Sequence, residues 1–320
     1  MPKKKPHFVV IGGGTGTFMQ LCGLKEHHVD LSVIVSMADD GGSTGDLRDQ
    51  YGVLPPGDVR RALVALSQAS TELRELFNYR FSSGDFAGHS FGNLFLSVLE
   101  KIKGDFGSAV LEASRILSVR GKVIPVTLNN VRLHARLMDG SIIRGETNID
   151  IPRGKRRSPI AKVWLSPRAA IYDAAEQALR TADVIVIGPG DLFTSLIPNL
   201  LVDGMPEAIR RSRAKKVYVC NLMTKFGETH DFTAMDFVQN IERYLGKNVL
   251  DAIIFNTKKP SIKVLQHYKK EQSEFVDCST LVSRGAKPRH ILEDVLDRGE
   301  LVRHDPKKLA RILLLFAAVE

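Results

Sequence analysis

Five short apolar runs recur along the chain and alternate with amphipathic stretches of helical periodicity. They lie at residues 7–11, 31–37, 183–187, 216–220 and 251–255. A strand that is apolar at consecutive positions is buried on both of its faces, which is typical of a parallel sheet covered by helices. The alternation therefore predicts an α/β fold, a Rossmann-like parallel sheet with helices on both faces.

The pattern changes between about residues 122 and 165. Residues 131–138 and 141–146 alternate between apolar and polar side chains, and Asp139 and Gly140 separate the two runs. An Asp-Gly pair between alternating runs predicts a β-hairpin. We therefore expect one α/β domain over residues 1–320, with a small antiparallel β-hairpin insertion at about 122–165.

Composition narrows the class of protein. Three widely separated cysteines without CxxC spacing argue against a zinc site and for a reducing compartment. The apolar runs are too short for a secretory signal or a membrane span, so we expect a cytoplasmic protein. The net charge is +9, but the basic residues are scattered and no nucleic-acid module is recognised. A phosphorylated small molecule is therefore favoured over nucleic acid as the partner.

Glycine-rich segments follow two of the apolar runs. Residues 12–16 read Gly-Gly-Gly-Thr-Gly before a predicted helix, and such a turn lets backbone N–H groups approach a phosphate. Residues 188–195 again combine glycines with hydroxyls. The first segment lacks the last glycine of the dinucleotide pattern, and no Gly-Lys-Ser/Thr occurs. A standard NAD site and a P-loop NTPase are therefore excluded, while phosphate or nucleotide binding is favoured.

A third segment, residues 38–61, is predicted to be a long ordered loop rich in glycine and acids. Asp39 and Asp40 follow the second predicted strand. An acid there can accept hydrogen bonds from sugar hydroxyls, or the pair can hold Mg²⁺ beside a diphosphate. Asp58 is predicted to cap the next helix at its N-terminus.

No unmistakable pair of base and nucleophile is visible. Ser90 is predicted to be the N-cap of a helix over residues 90–101, and His89 beside it is a candidate base. Asp40, Asp58 and His89 remain the candidate catalytic residues, and we do not expect an enzyme.

Taken together, these segments resemble the gluconeogenesis factor family (YvcK), the regulator branch of the CofD-like fold. The resemblance runs from about residue 7 to residue 310. It rests on Ile-Gly-Gly-Gly-Thr-Gly at 11–16, Ala-Asp-Asp-Gly-Gly-Ser-Thr-Gly at 38–45, Leu-Pro-Pro-Gly-Asp-Val-Arg at 54–60, Gly-His-Ser-Phe-Gly-Asn at 88–93, Gly-Pro-Gly at 188–190 with Ile-Pro-Asn-Leu-Leu at 197–201, and Tyr-Val-Cys-Asn-Leu-Met-Thr at 218–224 with Gly-Glu-Thr at 227–229. The Pro-Pro-Gly-Asp segment favours the regulator branch over the transferase branch.

The resemblance implies a cytoplasmic regulator that binds a nucleotide sugar, with UDP-N-acetylglucosamine as the expected ligand. It also implies roles in carbon metabolism, cell-wall precursor supply and cell shape (morphogenesis), together with a protein partner; a homodimer is left open. Carried over by position, the ligand-facing residues are Gly13, Gly14, Thr15, Gly16, Asp39, Asp40, Ser43, Asn93, Gly190, Thr194, Asn221, Tyr268 and Arg303. Among them Tyr268 is expected to stack on uracil, and Arg303 to meet the diphosphate.

An alternative of another class stays open: a Mg²⁺-dependent 2-phospholactate-type transferase acting on a nucleotide-linked donor. Asp39 and Asp40 are its weak metal candidates, and no cofactor is firmly indicated. The chain also departs from the family pattern, with Asp46 for Arg, Asp191 for Ser, and Pro306 where some members have a phosphorylatable Thr. Because a carboxylate repels phosphate, we do not expect Asp191 to contact a phosphate directly.

Overall fold

The computed structural model describes residues 5–152, 157–282 and 287–317. Its strands in these ranges are β1 (His7–Gly12), β2 (Asp30–Val35), β3 (Lys122–Pro125), β4 (Arg132–Leu137), β5 (Ile142–Arg144), β6 (Ile160–Ser166), β7 (Val184–Ile187), β8 (Lys215–Val219), β9 (Ala252–Asn256) and β10 (Arg289–Glu293). Seven of them form a parallel sheet in the order β10-β9-β8-β7-β1-β2-β3. The chain builds outward from β1 in both directions, so a topological switch point lies between β1 and β7.

Helices fill the connections. They are α1 (Gly14–Leu24), α2 (Gly42–Tyr51), α3 (Gly57–Leu66), α4 (Thr71–Asn78), α5 (Phe91–Lys103), α6 (Phe106–Ile116), α7 (Glu146–Asp150), α8 (Asp173–Thr181), α9 (Ile197–Leu200), α10 (Met205–Arg211), α11 (Ala234–Leu245), α12 (Ile262–Lys270) and α13 (Pro306–Leu314). A π-helical turn, Leu192–Leu196, directly precedes α9. The predicted parallel α/β fold is therefore confirmed.

The large sheet is buried on both faces. All residues of β7 and of β9 are buried, and so is β1 after its first residue. Because successive side chains of a strand point to opposite faces, consecutive burial requires cover on each side. This is the reason that the strands read as continuous apolar runs in the sequence.

The antiparallel insertion is a three-stranded sheet in the order β5-β4-β6. Its hairpin turns at Asp139 and Gly140, as predicted, with Gly140 at a φ of 88°. The antiparallel insertion begins later than the predicted interval of 122–165. Lys122–Pro125 pairs in parallel with β2 and belongs to the large sheet, so the antiparallel part runs from Arg132 to Ser166.

Residues 38–61 are not the long loop that the sequence predicted. They contain α2, a polar helix that is stabilised by the buried side chain of Arg48. The guanidinium of Arg48 donates to the carbonyl of Asp39 at 2.7 Å and to that of Val131 at 2.6 Å. The predicted N-cap at Asp58 is also wrong by two positions. The N-cap of α3 is Pro56, and Asp58 lies in its first turn.

The N-cap predicted at Ser90 is confirmed, since its hydroxyl accepts a hydrogen bond from the backbone N–H of Asn93 at 3.1 Å. In the part of the chain that the structure describes, no helix combines the length and the apolar character needed to cross a membrane.

Candidate functional site

The loops that follow β1 and β7 meet at the switch point of the sheet. A Cβ atom added to Gly16 would lie 2.6 Å from the carbonyl oxygen of Pro189, so only glycine allows this approach. The hydroxyl of Thr17 donates to the same oxygen at 3.5 Å. Two of the predicted glycine segments therefore form one continuous wall where open α/β sheets bind ligands.

This wall borders a polar cavity of about 550 Å³, which we call the main cavity. Nine of the residues predicted to face the ligand line it, and so does Asp58. The nine are Gly13, Gly14, Thr15, Gly16, Asp39, Ser43, Asn93, Gly190 and Thr194. Residues more than a hundred positions apart in the sequence are thus brought together as predicted.

Several helices begin at the main cavity. Gly14, Gly42 and Gly57 are the first residues of α1, α2 and α3, and all three line it. The first turn of a helix carries backbone N–H groups that have no partner within the helix, and the positive end of the helix dipole, both of which favour an anion. The wall is therefore suited to phosphate groups.

A second cavity of about 290 Å³, the side cavity, holds three of the four remaining predicted positions. Asn221, Tyr268 and Arg303 line it. The hydroxyl of Tyr268 accepts the backbone N–H of Val302 at 3.0 Å, and the amide of Asn221 donates to the carbonyl of Gly190 at 2.8 Å. These hydrogen bonds position the phenol ring and the amide beside the glycine wall.

The two cavities adjoin. Thr15, Gly16, Gly190 and Asp191 line both of them. An extended ligand can therefore place one end in each cavity with its middle on the glycine wall.

Asp40 is the one predicted ligand-facing residue that lines neither cavity. Its carboxylate accepts the backbone N–H groups of Glu146 at 3.1 Å and Thr147 at 2.9 Å, and lies 3.6 Å from the guanidinium of Arg132. It thus accepts hydrogen bonds from the free N–H groups at the N-terminus of α7, and these bonds connect the insertion to the loop after β2. The structure does not place Asp40 beside Asp39 as a second ligand in the main cavity.

Asp39 and Asp58 both line the main cavity. Burial, together with the neighbouring charge of Asp39, raises the pKa of Asp58 to about 6. Burial also raises the pKa of Asp39, against the lowering effect of its hydrogen bonds from Gly41 and Thr44. One oxygen of Asp58 accepts the backbone N–H of Gly14 at 3.0 Å. These two carboxylates, rather than Asp39 with Asp40, are the pair that a cation in this part of the cavity would meet.

His89 belongs to a hydrogen-bonded chain along the wall of the main cavity. Its Nδ1 lies 3.1 Å from the hydroxyl of Ser43, which also accepts the amide N–H of Asn93 at 3.2 Å. Asn93 in turn accepts from the guanidinium of Arg60 at 3.1 Å. The chain fixes the orientation of Ser43 and Asn93, which is a positioning role for His89.

A group of charged residues on the cavity walls was not predicted from the sequence. Charged residues that line the main cavity without having been predicted are Arg60, Arg61, Arg80, Glu146 and Asp150. Only Arg60 and Arg61 lie in one of the three glycine-rich segments discussed above, residues 38–61. A signal was available for Glu228, a buried acid that lines neither cavity, because it lies in the Gly-Glu-Thr motif at 227–229. The others come from α3, the loop after α4 and the insertion, whose positions depend on tertiary packing.

The negative charge of Asp191 is partly balanced by an ion pair with a lysine. Its carboxylate lies 2.8 Å from the ammonium group of Lys225, which also contacts Asp150 and lies 3.4 Å from Glu228. Burial lowers the pKa of Lys225, but the carboxylates of Glu228, Asp191 and Asp150 outweigh this and raise it. The repulsion expected from Asp191 is thus reduced by an ion pair, while Asp46 lies exposed on α2, outside both cavities.

Glu146 yields a prediction about stability. Burial, and then the charge of Asp39, raises the pKa of Glu146 from 4.5 to about 10. The folded state therefore keeps a proton that the unfolded state loses above pH 4.5, so this contribution to stability falls as the pH rises from 4.5 towards 10. Glu146→Gln removes that cost. We expect it to raise the free energy of unfolding by about 2 kcal/mol at pH 8 and hardly at all at pH 5.

Urea unfolding of both proteins at the two pH values measures this difference. Glu75→Gln, an exposed change of the same charge on α4, is the control. An equal effect of Glu146→Gln at both pH values would show that Glu146 is not held protonated.

Both the sequence and the structure of this chain are similar to those of known proteins. The profile of the family described as "2-phospho-L-lactate transferase CofD" matches residues 8–295. A gluconeogenesis factor of Halalkalibacterium halodurans is 43% identical over 318 residues, covering 97% of this chain and 96% of the relative. The gluconeogenesis factor of Bacillus subtilis is 40% identical over 316 residues, covering 97% of this chain and 98% of the relative. A crystal structure of a UPF0052 family member from Bacillus halodurans superposes with a TM-score of 0.92 at 41% identity, over 97% of this chain and 99% of that one.

Proposed function

The chain belongs to the gluconeogenesis factor branch of the CofD family, and we propose that it is a regulator that binds a nucleotide sugar, with UDP-N-acetylglucosamine as the ligand. In this proposal the base lies in the side cavity against the ring of Tyr268. The diphosphate lies on the glycine wall, and the sugar enters the main cavity.

The observation that carries the proposal is the shared wall. Thr15, Gly16 and Gly190 border both cavities, so the N-terminus of α1 lies between a cavity with an aromatic ring and one rich in hydrogen-bonding groups. A nucleotide sugar has the same order of parts: a planar base, a dianionic linker and a polyhydroxyl ring. Arg303 in the side cavity supplies a cation for the linker.

The relatives are named gluconeogenesis factors, and that name supports a role for this chain in carbon metabolism. We propose that ligand occupancy reports the supply of cell-wall precursor and, through a protein partner in the cytoplasm, adjusts carbon metabolism and cell shape. The hydrogen bonds of Asp40 and His89 support a regulator, because they tie two of the three candidate catalytic side chains to neighbouring groups of the protein.

A specific observation also favours the second candidate, a transferase acting on a nucleotide-linked donor. Asp39 and Asp58 line the main cavity, and burial together with the charge of Asp39 raises the pKa of Asp58 to about 6. Two neighbouring carboxylates beside a wall suited to phosphate groups fit a divalent cation, which would polarise a phosphoryl oxygen when bound. In that case Asp39 and Asp58 would hold the Mg²⁺.

Calorimetric titration separates the two candidates. Purified protein is titrated with UDP-N-acetylglucosamine, GDP and NAD, each with and without Mg²⁺. Binding of the UDP-sugar without Mg²⁺, and weaker or absent binding of the other two, is the result expected for the regulator. Mg²⁺-dependent binding of GDP with none of the UDP-sugar would overturn the proposal and favour the transferase.

A further inference from the structure

Between the two cavities lies a compact cluster of three acids around one lysine. Single oxygen atoms of Asp150, Asp191 and Glu228 all lie within 4.8 Å of one another. The ammonium group of Lys225 is among them and contacts all three carboxylates. We call these four residues the lysine cluster.

The members of the lysine cluster come from three separate segments and are held by the backbone. Asp150 ends α7 in the insertion, and Asp191 precedes the π-helical turn after β7. Glu228 is buried, and its carboxylate accepts the N–H of Phe193 and the hydroxyl of Thr194, each at 3.1 Å. The acids therefore converge because the fold places them there, and they do not depend on flexible surface side chains.

Such a set of oxygens is of the kind that hard divalent cations use. A cation with metal–oxygen distances of about 2.3–2.6 Å can bridge oxygens up to about 5 Å apart, which includes the spacing seen here. An ammonium group offers three N–H donors to the same three carboxylates. We propose that Lys225 is a built-in cation, whose ammonium group occupies the position of a divalent metal ion among Asp150, Asp191 and Glu228.

Two consequences follow. The lysine cluster needs no metal in this chain, and a neutral residue at position 225 leaves three converging carboxylates that bind a divalent ion. A third consequence rests on the proposed function: because Lys225 already occupies the position among these carboxylates, no divalent ion enters the lysine cluster when the ligand binds.

Binding of Mn²⁺ without any nucleotide tests the proposal, so its failure is distinct from a failure of the proposed function. Lys225→Met keeps an unbranched side chain that is one atom shorter and removes its charge. Binding is followed by the loss of the free Mn²⁺ electron paramagnetic resonance signal and by thermal unfolding with and without Mn²⁺. Lys263→Met, an exposed lysine on α12, is the control for the loss of one positive charge.

We expect Lys225→Met to bind Mn²⁺ at least about tenfold more tightly than the wild type, and Mn²⁺ to raise its unfolding temperature. Adding Asp150→Asn should remove the gain. A Lys225→Met protein that folds only with Mn²⁺ supports the proposal equally. Equal Mn²⁺ affinity in the wild type and the variant overturns it, and so does a variant that stays unfolded in millimolar Mn²⁺.

Discussion

Gly16→Ala is expected to weaken binding of UDP-N-acetylglucosamine by about a hundredfold and to lower the free energy of unfolding by about 2 kcal/mol. The added Cβ would lie 2.6 Å from the carbonyl oxygen of Pro189 and 2.9 Å from its carbonyl carbon. Both atoms belong to the backbone, so the loops after β1 and β7 must separate. Because these loops form the wall shared by the two cavities, their separation changes the part of the site that holds the diphosphate.

Calorimetric titration measures the affinity, and urea unfolding measures the stability. Gly299→Ala is the matched control, since the nearest atom to its added Cβ is a carboxylate oxygen of the Asp297 side chain, which can rotate away. Retention of wild-type affinity by Gly16→Ala would show that the ligand does not use the glycine wall.

Tyr268→Ala is expected to weaken binding of the same ligand about tenfold to a hundredfold, with little effect on stability. Stacking of a base on an aromatic side chain contributes about 1–3 kcal/mol. The side chain of Tyr268 is only partly buried on α12, a helix with no buried residue, so its loss removes little of the protein core.

Tyr268→Phe separates stacking from hydrogen bonding. It keeps the ring and removes only the hydroxyl that accepts the N–H of Val302. We expect its affinity to stay within a few-fold of the wild type. If Tyr268→Ala and wild type bind alike by calorimetry, the base does not lie on this ring.

The fold and most of the site could be predicted because they depend on local patterns. Buried strands require apolar side chains at consecutive positions, and the glycine segments directly follow β1 and β7. Parallel strands bring their carboxyl ends to one edge, so segments far apart in the sequence meet there. Tyr268 and Arg303 were predicted to face the ligand only because of the family resemblance, since neither residue lies next to a glycine segment.

The remaining features depend on tertiary contacts that no local pattern encodes. The segment that forms α2 is rich in glycine and aspartate, which are poor helix formers, and its helix depends on the buried hydrogen bonds of Arg48. The role of Asp40 could not be predicted, because it depends on hydrogen bonds with α7, which lies about a hundred residues later in the sequence. Lys225 and Asp150 likewise meet only because the insertion folds back over the sheet edge.

The most direct test of the central claim is a crystal structure of the protein with UDP-N-acetylglucosamine. Our account predicts the uracil on the ring of Tyr268, the diphosphate at the backbone N–H groups that begin α1, and the sugar in the main cavity. Electron density for the base in the main cavity, or for the ligand away from residues 14–16, would contradict it.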